Sequence, residues 1–362
     1  MLSRTADHLF WMARYMERAE NTARMLDVNY QMSLLPQSVE AAEKGWKGLL
    51  SISELSGDYA KRHGPVTPQG VMRYMVSDED NGSSIRNCLM AARENARAVR
   101  GTLTTEVWET QNQTWLEFQR MVANDAFQRG PGEAFEWVKF RSHLSRGVTV
   151  GTMLQDEAFH FLRIGSFLER ADNTARLLDV KFHSVENDII GFGPSAAAAR
   201  LRYGMAQSQS QNGGGSQSQS QSQESGKDVE FDFYHWSAVL RSVSGFEVYR
   251  KVYRNVIRPE RVAELLILRP DMPRSLAACM HEVLLNLQRV ANEQSKDTLR
   301  KASGKDVAEI LDEAARIALT YRTPVFVLSE ATLGLLGLGV AEAMDLLRAR
   351  TISLPMRRTG DD

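Results

Sequence analysis

The sequence has few cysteines, almost no net charge and no long uninterrupted hydrophobic run. Its two cysteines, Cys88 and Cys279, are too few for a disulfide framework, which favours the reducing cytoplasm. The chain has 44 Lys and Arg residues and 45 Asp and Glu residues. It therefore lacks the excess of basic residues that is typical of proteins that bind nucleic-acid phosphates. The most apolar stretch, 324–344, is interrupted by Glu330 and Glu342, which argues against a membrane span. The N-terminal segment mixes apolar and charged residues and does not resemble a signal peptide.

A repeat is the main feature of the sequence. YMERAENTARMLDV at 15–28 matches FLERADNTARLLDV at 167–180 at 10 of 14 positions, 152 residues later. Weaker matches at offsets of 190 to 191 pair Trp46 with Trp236, Tyr59 with Tyr249, Ser84 with Ser275 and Cys88 with Cys279. We predict two tandem related halves, 1–150 and 153–350. A Ser/Gln/Gly loop at 205–228, too polar to form a core, would interrupt the second half.

Apolar residues recur with a helical period along most of the chain. The segments are 5–35, 39–60, 84–110, 112–129, 154–185, 235–256, 275–300, 305–322 and 338–350. The apolar run 264–268 alternates poorly for a strand, so we predict an all-α helical bundle built from the two halves. Ser84 and Ser275 are predicted helix N-caps, and Thr152 with Gln155 is a predicted capping box.

The two repeated helices each carry an apolar stripe and an opposite polar face. The polar motif consists of Glu17, Arg18, Asn21, Arg24, Glu169, Arg170, Asn173 and Arg176. A solvated face would be free to diverge between the two copies, because surface changes usually cost less than about 0.5 kcal/mol. The repetition therefore favours a buried polar network or a site for a ligand or partner, with a solvated face as the third interpretation.

Other chemistry has weaker support in the sequence. Glu157 and His160 have the Glu-x-x-His spacing of di-metal bundles, but the first copy has Thr5 in place of Glu157. His8 and His160 are therefore predicted to be hydrogen-bonded core residues, and no metal or cofactor is expected. The sequence contains neither a Walker loop nor a Gly-x-Ser-x-Gly motif.

The paired Glu-Arg helices resemble the signature helices of the alpha-E domain family, a bacterial and all-helical family. The hallmark is the Glu-Arg dipeptide, matched by Glu17-Arg18 and by Glu169-Arg170. The resemblance implies a genomic neighbourhood with ATP-grasp ligases and transglutaminase-like proteins. We expect a non-catalytic helical accessory or binding protein of an ATP-grasp system that forms peptide or amide bonds. The alternative is an enzyme that brings Glu17 and Glu169 together for amide or glutamyl chemistry and raises the pKa of one carboxylate.

Overall fold

The computed structural model describes residues 1–36, 39–190 and 235–291, and every regular element in these residues is helical. The helices are α1 (Ser3–Ser33), α2 (Val39–Ile52), α3 (Ser56–His63), α4 (Pro68–Val76), α5 (Ile85–Ala98), α6 (Thr105–Ala123), α7 (Ala126–Arg129), α8 (Pro131–Thr152), α9 (Glu157–Ile190), α10 (Phe246–Tyr253), α11 (Pro259–Ile267) and α12 (Leu276–Ala291). Residues 235–242 are also helical. None of the helices in these ranges is long and apolar enough to cross a membrane.

The predicted helix boundaries need several corrections. The segment 84–110 is two helices, because a 3-10 turn follows α5 and the Thr104 hydroxyl then caps α6 by accepting from the Val107 amide. Helices α4, α8 and α11 were not predicted, and the apolar run 264–268 largely lies in α11. The predicted loop 205–228 and the predicted helices 305–322 and 338–350 lie outside the described residues.

The predicted N-caps are confirmed, but the predicted capping box is wrong. The hydroxyl of Ser84 accepts from the Asn87 amide, and that of Ser275 accepts from the Ala278 amide. Thr152 instead ends α8 and donates to the Val148 carbonyl. Asp156 caps α9, since its carboxylate accepts from the first backbone amides of that helix.

The two motif helices, α1 and α9, pack closely against each other at the centre of the fold. They approach at Gly165, where an added Cβ would meet the Phe10 carbonyl oxygen and lie 3.2 Å from the Ala13 Cβ. Ala13 and Gly165 are equivalent in the repeat, at an offset of 152. Small side chains at both positions allow the backbones to come this close. Phe10, near the start of α1, lies against Gly165 of α9, and Glu17, further along α1, pairs with Arg170, further along α9. The two helices therefore run in the same direction.

Helices α5 and α12 flank this pair, α5 against α1 and α12 against α9. A histidine and an asparagine meet at each flank. His8 Nδ1 lies 2.8 Å from Asn95 Oδ1, and His160 Nδ1 lies 2.8 Å from Asn286 Oδ1. His160 is buried and is therefore a hydrogen-bonded core residue, as predicted, whereas His8 is hydrogen-bonded but only half-buried.

Large aromatic residues anchor the main core. Trp46, Trp236, Tyr59 and Tyr249 are all almost completely buried. Cys88 and Cys279 are also buried, and burial raises the pKa of each thiol to about 12. The prediction that these residues pack in the core is confirmed, and protonated thiols of this kind are poor nucleophiles.

Candidate functional site

The Glu-Arg dipeptides of α1 and α9 pair crosswise. The Arg170 guanidinium donates to Glu17 through Nε at 2.9 Å and Nη2 at 3.0 Å. Arg18 donates in the same way to Glu169, with distances of 2.6 Å and 2.9 Å. Each dipeptide thus supplies the carboxylate for one bidentate pair and the guanidinium for the other. Such pairs are short, charge-assisted and geometrically selective.

Glu17 is held by arginines from three directions. Besides Arg170, the Arg146 Nη1 atom of α8 donates at 2.7 Å, and Arg274 Nη1, just before α12, lies 3.2 Å from the carboxylate. Burial alone would raise the pKa of Glu17, but these arginines outweigh it and the net pKa is lowered. The predicted rise in carboxylate pKa is therefore wrong for Glu17, which stays ionised and accepts hydrogen bonds.

Glu20 is a second buried carboxylate in the same network, and it was not among the predicted site residues. It accepts hydrogen bonds from the Ser142 hydroxyl at 2.7 Å and from Arg146 and Arg274 at 2.5 Å each. Burial raises its pKa, yet the surrounding arginines hold it well below the ordinary value. Glu20 aligns with Asp172, so its persistence as an acid in both copies was the available signal.

Glu169 has a smaller set of partners. Its carboxylate accepts from Arg18 and from Arg14 Nε, the latter at 2.6 Å. The Arg14 guanidinium also lies over the Trp11 ring, 5.1 Å from the centroid. Arg14, Arg146 and Arg274 contribute to the network but were missed by the sequence analysis. Arg146 and Arg274 lie outside the repeated segment, and Arg14 has no arginine at its equivalent position, Ser166.

The two motif asparagines are buried, each with one atom that lacks a partner among the described residues. Asn21 Oδ1 accepts from Arg274 Nη1 at 2.8 Å, whereas Asn21 Nδ2 has no hydrogen-bond partner. Asn173 Nδ2 is likewise buried and unpaired. Two buried donors at equivalent positions are uncommon, because nearly all such groups are satisfied in native structures.

The outer arginines of the motif are paired with acids on their own helices. Arg24 donates to Glu20, four residues earlier, and to the Ser244 hydroxyl at 2.6 Å. Arg176 pairs with Asp172 at 3.0 Å and with Glu54 at 2.6 Å. Its side chain is 36% exposed, so it lies at the edge of the network. The interpretation of the whole motif as a solvated face is therefore wrong.

In the described residues, the motif forms a buried ionic junction among α1, α8, α9 and the segment before α12. The carboxylates of both motif glutamates are paired with arginines, and no group of three metal-binding side chains is present in these residues. What the arrangement does chemically is to fix several helices in one geometry. It also concentrates guanidinium groups beside a cavity that Arg146, Arg163 and Arg170 line.

Comparison with known proteins gives one family and no individual relative. Neither the curated proteins nor the solved structures contain a match. A family model matches residues 1–351 and is described as a predicted alpha-helical domain with a conserved ER motif. The two Glu-Arg dipeptides of this chain lie in that match, in helices that pair them with each other. The chain therefore belongs to the Alpha-E family.

Proposed function

We propose that this chain is a non-catalytic helical accessory protein of an ATP-grasp ligase system in the bacterial cytoplasm. The observation that carries the proposal is the reciprocal pairing of Glu17 with Arg170 and of Glu169 with Arg18. A motif whose charges are used to join two helices is suited to holding a binding platform rigid. The ligase, which forms peptide or amide bonds, is the partner implied by the family resemblance, and a transglutaminase-like protein is a second.

A groove between α1 and α8, with exposed apolar side chains of α8 at its edge, is the surface that we propose for the ligase. Phe140 and Leu144 lie one helical turn apart and are 66% and 44% exposed. Phe140 lines a groove of about 510 Å³ together with Trp137 and the acidic side chains of Glu133 and Glu136. Exposed apolar patches rimmed by polar residues commonly mark protein interfaces. The groove therefore fits a segment with an apolar tip flanked by Lys or Arg.

Co-purification of the full chain with the ATP-grasp ligase encoded beside it tests this proposal. We expect the wild type to retain the ligase at micromolar concentration and Phe140→Ser combined with Leu144→Ser to lose it. Val256→Ser is the matched control, because Val256 is 68% exposed on another part of the surface. Failure of the wild type to bind, or equal binding by the double variant, would contradict the proposal.

The alternative is an enzyme that uses Glu17 and Glu169 for amide or glutamyl chemistry. It would need one of the two carboxylates to give up its arginine partners and act as an acid or base. The lowered pKa of Glu17, which results from burial being outweighed by Arg170, Arg274 and Arg146, supports the accessory role instead. Turnover of a glutamyl or peptide substrate by the purified chain would favour the enzyme if it is lost in Glu17→Gln protein that circular dichroism shows to be folded, but not in Glu43→Gln.

A further inference from the structure

A cavity of about 230 Å³ lies beside the ionic junction, between α1, α6, α8 and α9. Glu17, Arg146, Arg163 and Arg170 contribute charged side chains to its wall, and Gln111 contributes an amide. Serine and threonine hydroxyls and apolar side chains, methionines among them, form the rest of the wall. Pockets for drug-sized ligands usually measure about 300–1,000 Å³. This cavity is therefore suited to a molecule smaller than a nucleotide.

The repeat explains why the cavity is next to Glu17 and not next to Glu169. On α1, Arg14 extends to Glu169 and donates to it at 2.6 Å. The equivalent position on α9 is Ser166, which lines the cavity. The short serine side chain leaves open the space that an arginine would occupy. The Glu17 side of an otherwise reciprocal arrangement therefore differs from the Glu169 side and borders this cavity.

The junction beside this cavity has an excess of positive charge. The arginines that contact Glu17 or Glu20 are Arg24, Arg146, Arg170 and Arg274. Among the described residues these four cations face two carboxylates, an excess of two charges. Buried charges are normally paired, because removal from water is costly. Burial, with Arg170 and Arg24 nearby, lowers the pKa of Arg274 to about 10 despite Glu17 and Glu20.

Gln111 supplies a hydrogen-bond acceptor that has no partner. The residue is 1% exposed, and its Nε2 donates to the Ser145 hydroxyl at 2.6 Å. Its Oε1 has no hydrogen-bond partner among the described residues. A buried acceptor in this state is unfavourable unless a donor occupies the neighbouring space. Gln111 and Ser145 both line the cavity, so a bound molecule can supply that donor.

We propose that the cavity binds a small hydroxy acid with two carboxylates. Two negative charges would balance the excess on the junction, with Arg146 and Arg163, the more exposed arginines of the cavity wall, as the donors to the carboxylates. Arg163 is suited to this, since its one hydrogen bond to a described residue is from Nη2 to Glu282. The ligand hydroxyl would donate to Gln111 Oε1. An amino group in place of the ligand hydroxyl would be less favourable, because it would add a positive charge next to the excess of positive charge on the junction.

This inference goes beyond the proposed function and does not require the ligase. Isothermal titration calorimetry on the purified full chain tests it with three four-carbon diacids: malate as both enantiomers, succinate and aspartate. We expect one malate enantiomer to bind and succinate, which lacks the hydroxyl, to bind about tenfold more weakly, a difference of about 1.4 kcal/mol. Aspartate should be weaker than malate. The inference is overturned if neither malate binds, or if succinate or aspartate binds as tightly.

Two variants separate a direct contact from a structural effect. Gln111→Leu should reduce the malate-to-succinate affinity ratio from about ten to about one, because it removes the acceptor that recognises the hydroxyl. Arg163→Met should weaken both ligands, whereas Arg261→Met, which breaks an exposed pair with Glu264, should change neither. If the Gln111→Leu protein folds and its malate-to-succinate affinity ratio is the same as that of the wild type, the proposal is contradicted. If Gln111→Leu does not fold, the relative affinities of the wild-type protein for malate, succinate and aspartate still test the proposal.

Discussion

Glu17 and Arg170 lie 153 residues apart in the sequence and form a bidentate ion pair between α1 and α9, with N–O distances of 2.9 and 3.0 Å. Arg18 and Glu169 form the reciprocal pair. The adjacent residues of each dipeptide therefore bond to the other helix and not to each other. This gives the Glu-Arg motif a structural reason to occur twice, since each copy completes the other.

Glu17→Gln should destabilise the protein strongly. The substitution leaves Arg170 and Arg274 without a full countercharge in a buried site, and removal of one partner of such a pair costs about 3–5 kcal/mol. Urea unfolding followed by circular dichroism measures the change. Glu43→Gln is the control, because Glu43 is in an exposed pair with Lys47 and should change stability by less than about 0.5 kcal/mol. A Glu17→Gln protein of wild-type stability would contradict this interpretation.

Arg18 should be energetically coupled to Glu169, its partner across the helix interface. A double-mutant cycle with Arg18→Met and Glu169→Gln should give an interaction energy of about 0.5–3 kcal/mol, because the two side chains share two hydrogen bonds. The same cycle with Arg18→Met and Glu43→Gln should be additive within about 0.5 kcal/mol. Unfolding free energies of the single and double variants supply both values. Additivity in the first cycle would show that the reciprocal pair does not contribute.

Stability should fall as the solution is acidified below the ordinary glutamate pKa of 4.5. In Glu17 and Glu20, burial raises the pKa but the arginines outweigh it, so the folded-state pKa is lower than the unfolded-state pKa. Their contribution to the free energy of unfolding is fully present above pH 4.5. It is lost as the pH falls towards the folded-state pKa values of the two glutamates. Unfolding free energies measured from about pH 7 to about pH 3 test this. Glu20→Gln should show a shallower dependence, and equal slopes would contradict the assignment.

Gly165→Ala should destabilise the contact between α1 and α9. The new Cβ would press on the Phe10 carbonyl group, which is backbone and cannot move aside cheaply. Overpacking of this kind typically costs about 1–3 kcal/mol. Gly147→Ala on α8 is the control, because its Cβ would meet nothing and alanine favours a helix by about 1 kcal/mol. Thermal unfolding of the two variants should therefore shift in opposite directions, and a stabilised Gly165→Ala would refute the close approach.

The local features of the fold could be predicted from the sequence because they depend on neighbouring residues. Helical periodicity predicted α1 and α9, and turn-prone residues before Ser84 and Ser275 predicted two N-caps that the structure contains. Helix α8 was missed. Buried polar residues such as Lys139, Ser142 and Ser145 occupy its inner face, where apolar residues would have been expected, so its periodicity is weak.

The repetition of the polar face favoured a buried network or a binding site over a solvated face for Glu17 and Glu169, but their partners could not be predicted. Arg146 and Arg274 are distant in sequence from Glu17 and belong to no repeated motif, and only packing brings them to the same carboxylate. The pKa of Glu17 depends on this arrangement, because the arginines reverse the direction that burial alone would give. The sequence by itself determined the two motif helices and the charges they carry. The tertiary structure alone decided which charges meet, because electrostatic energy depends on distance and burial and not on separation along the chain.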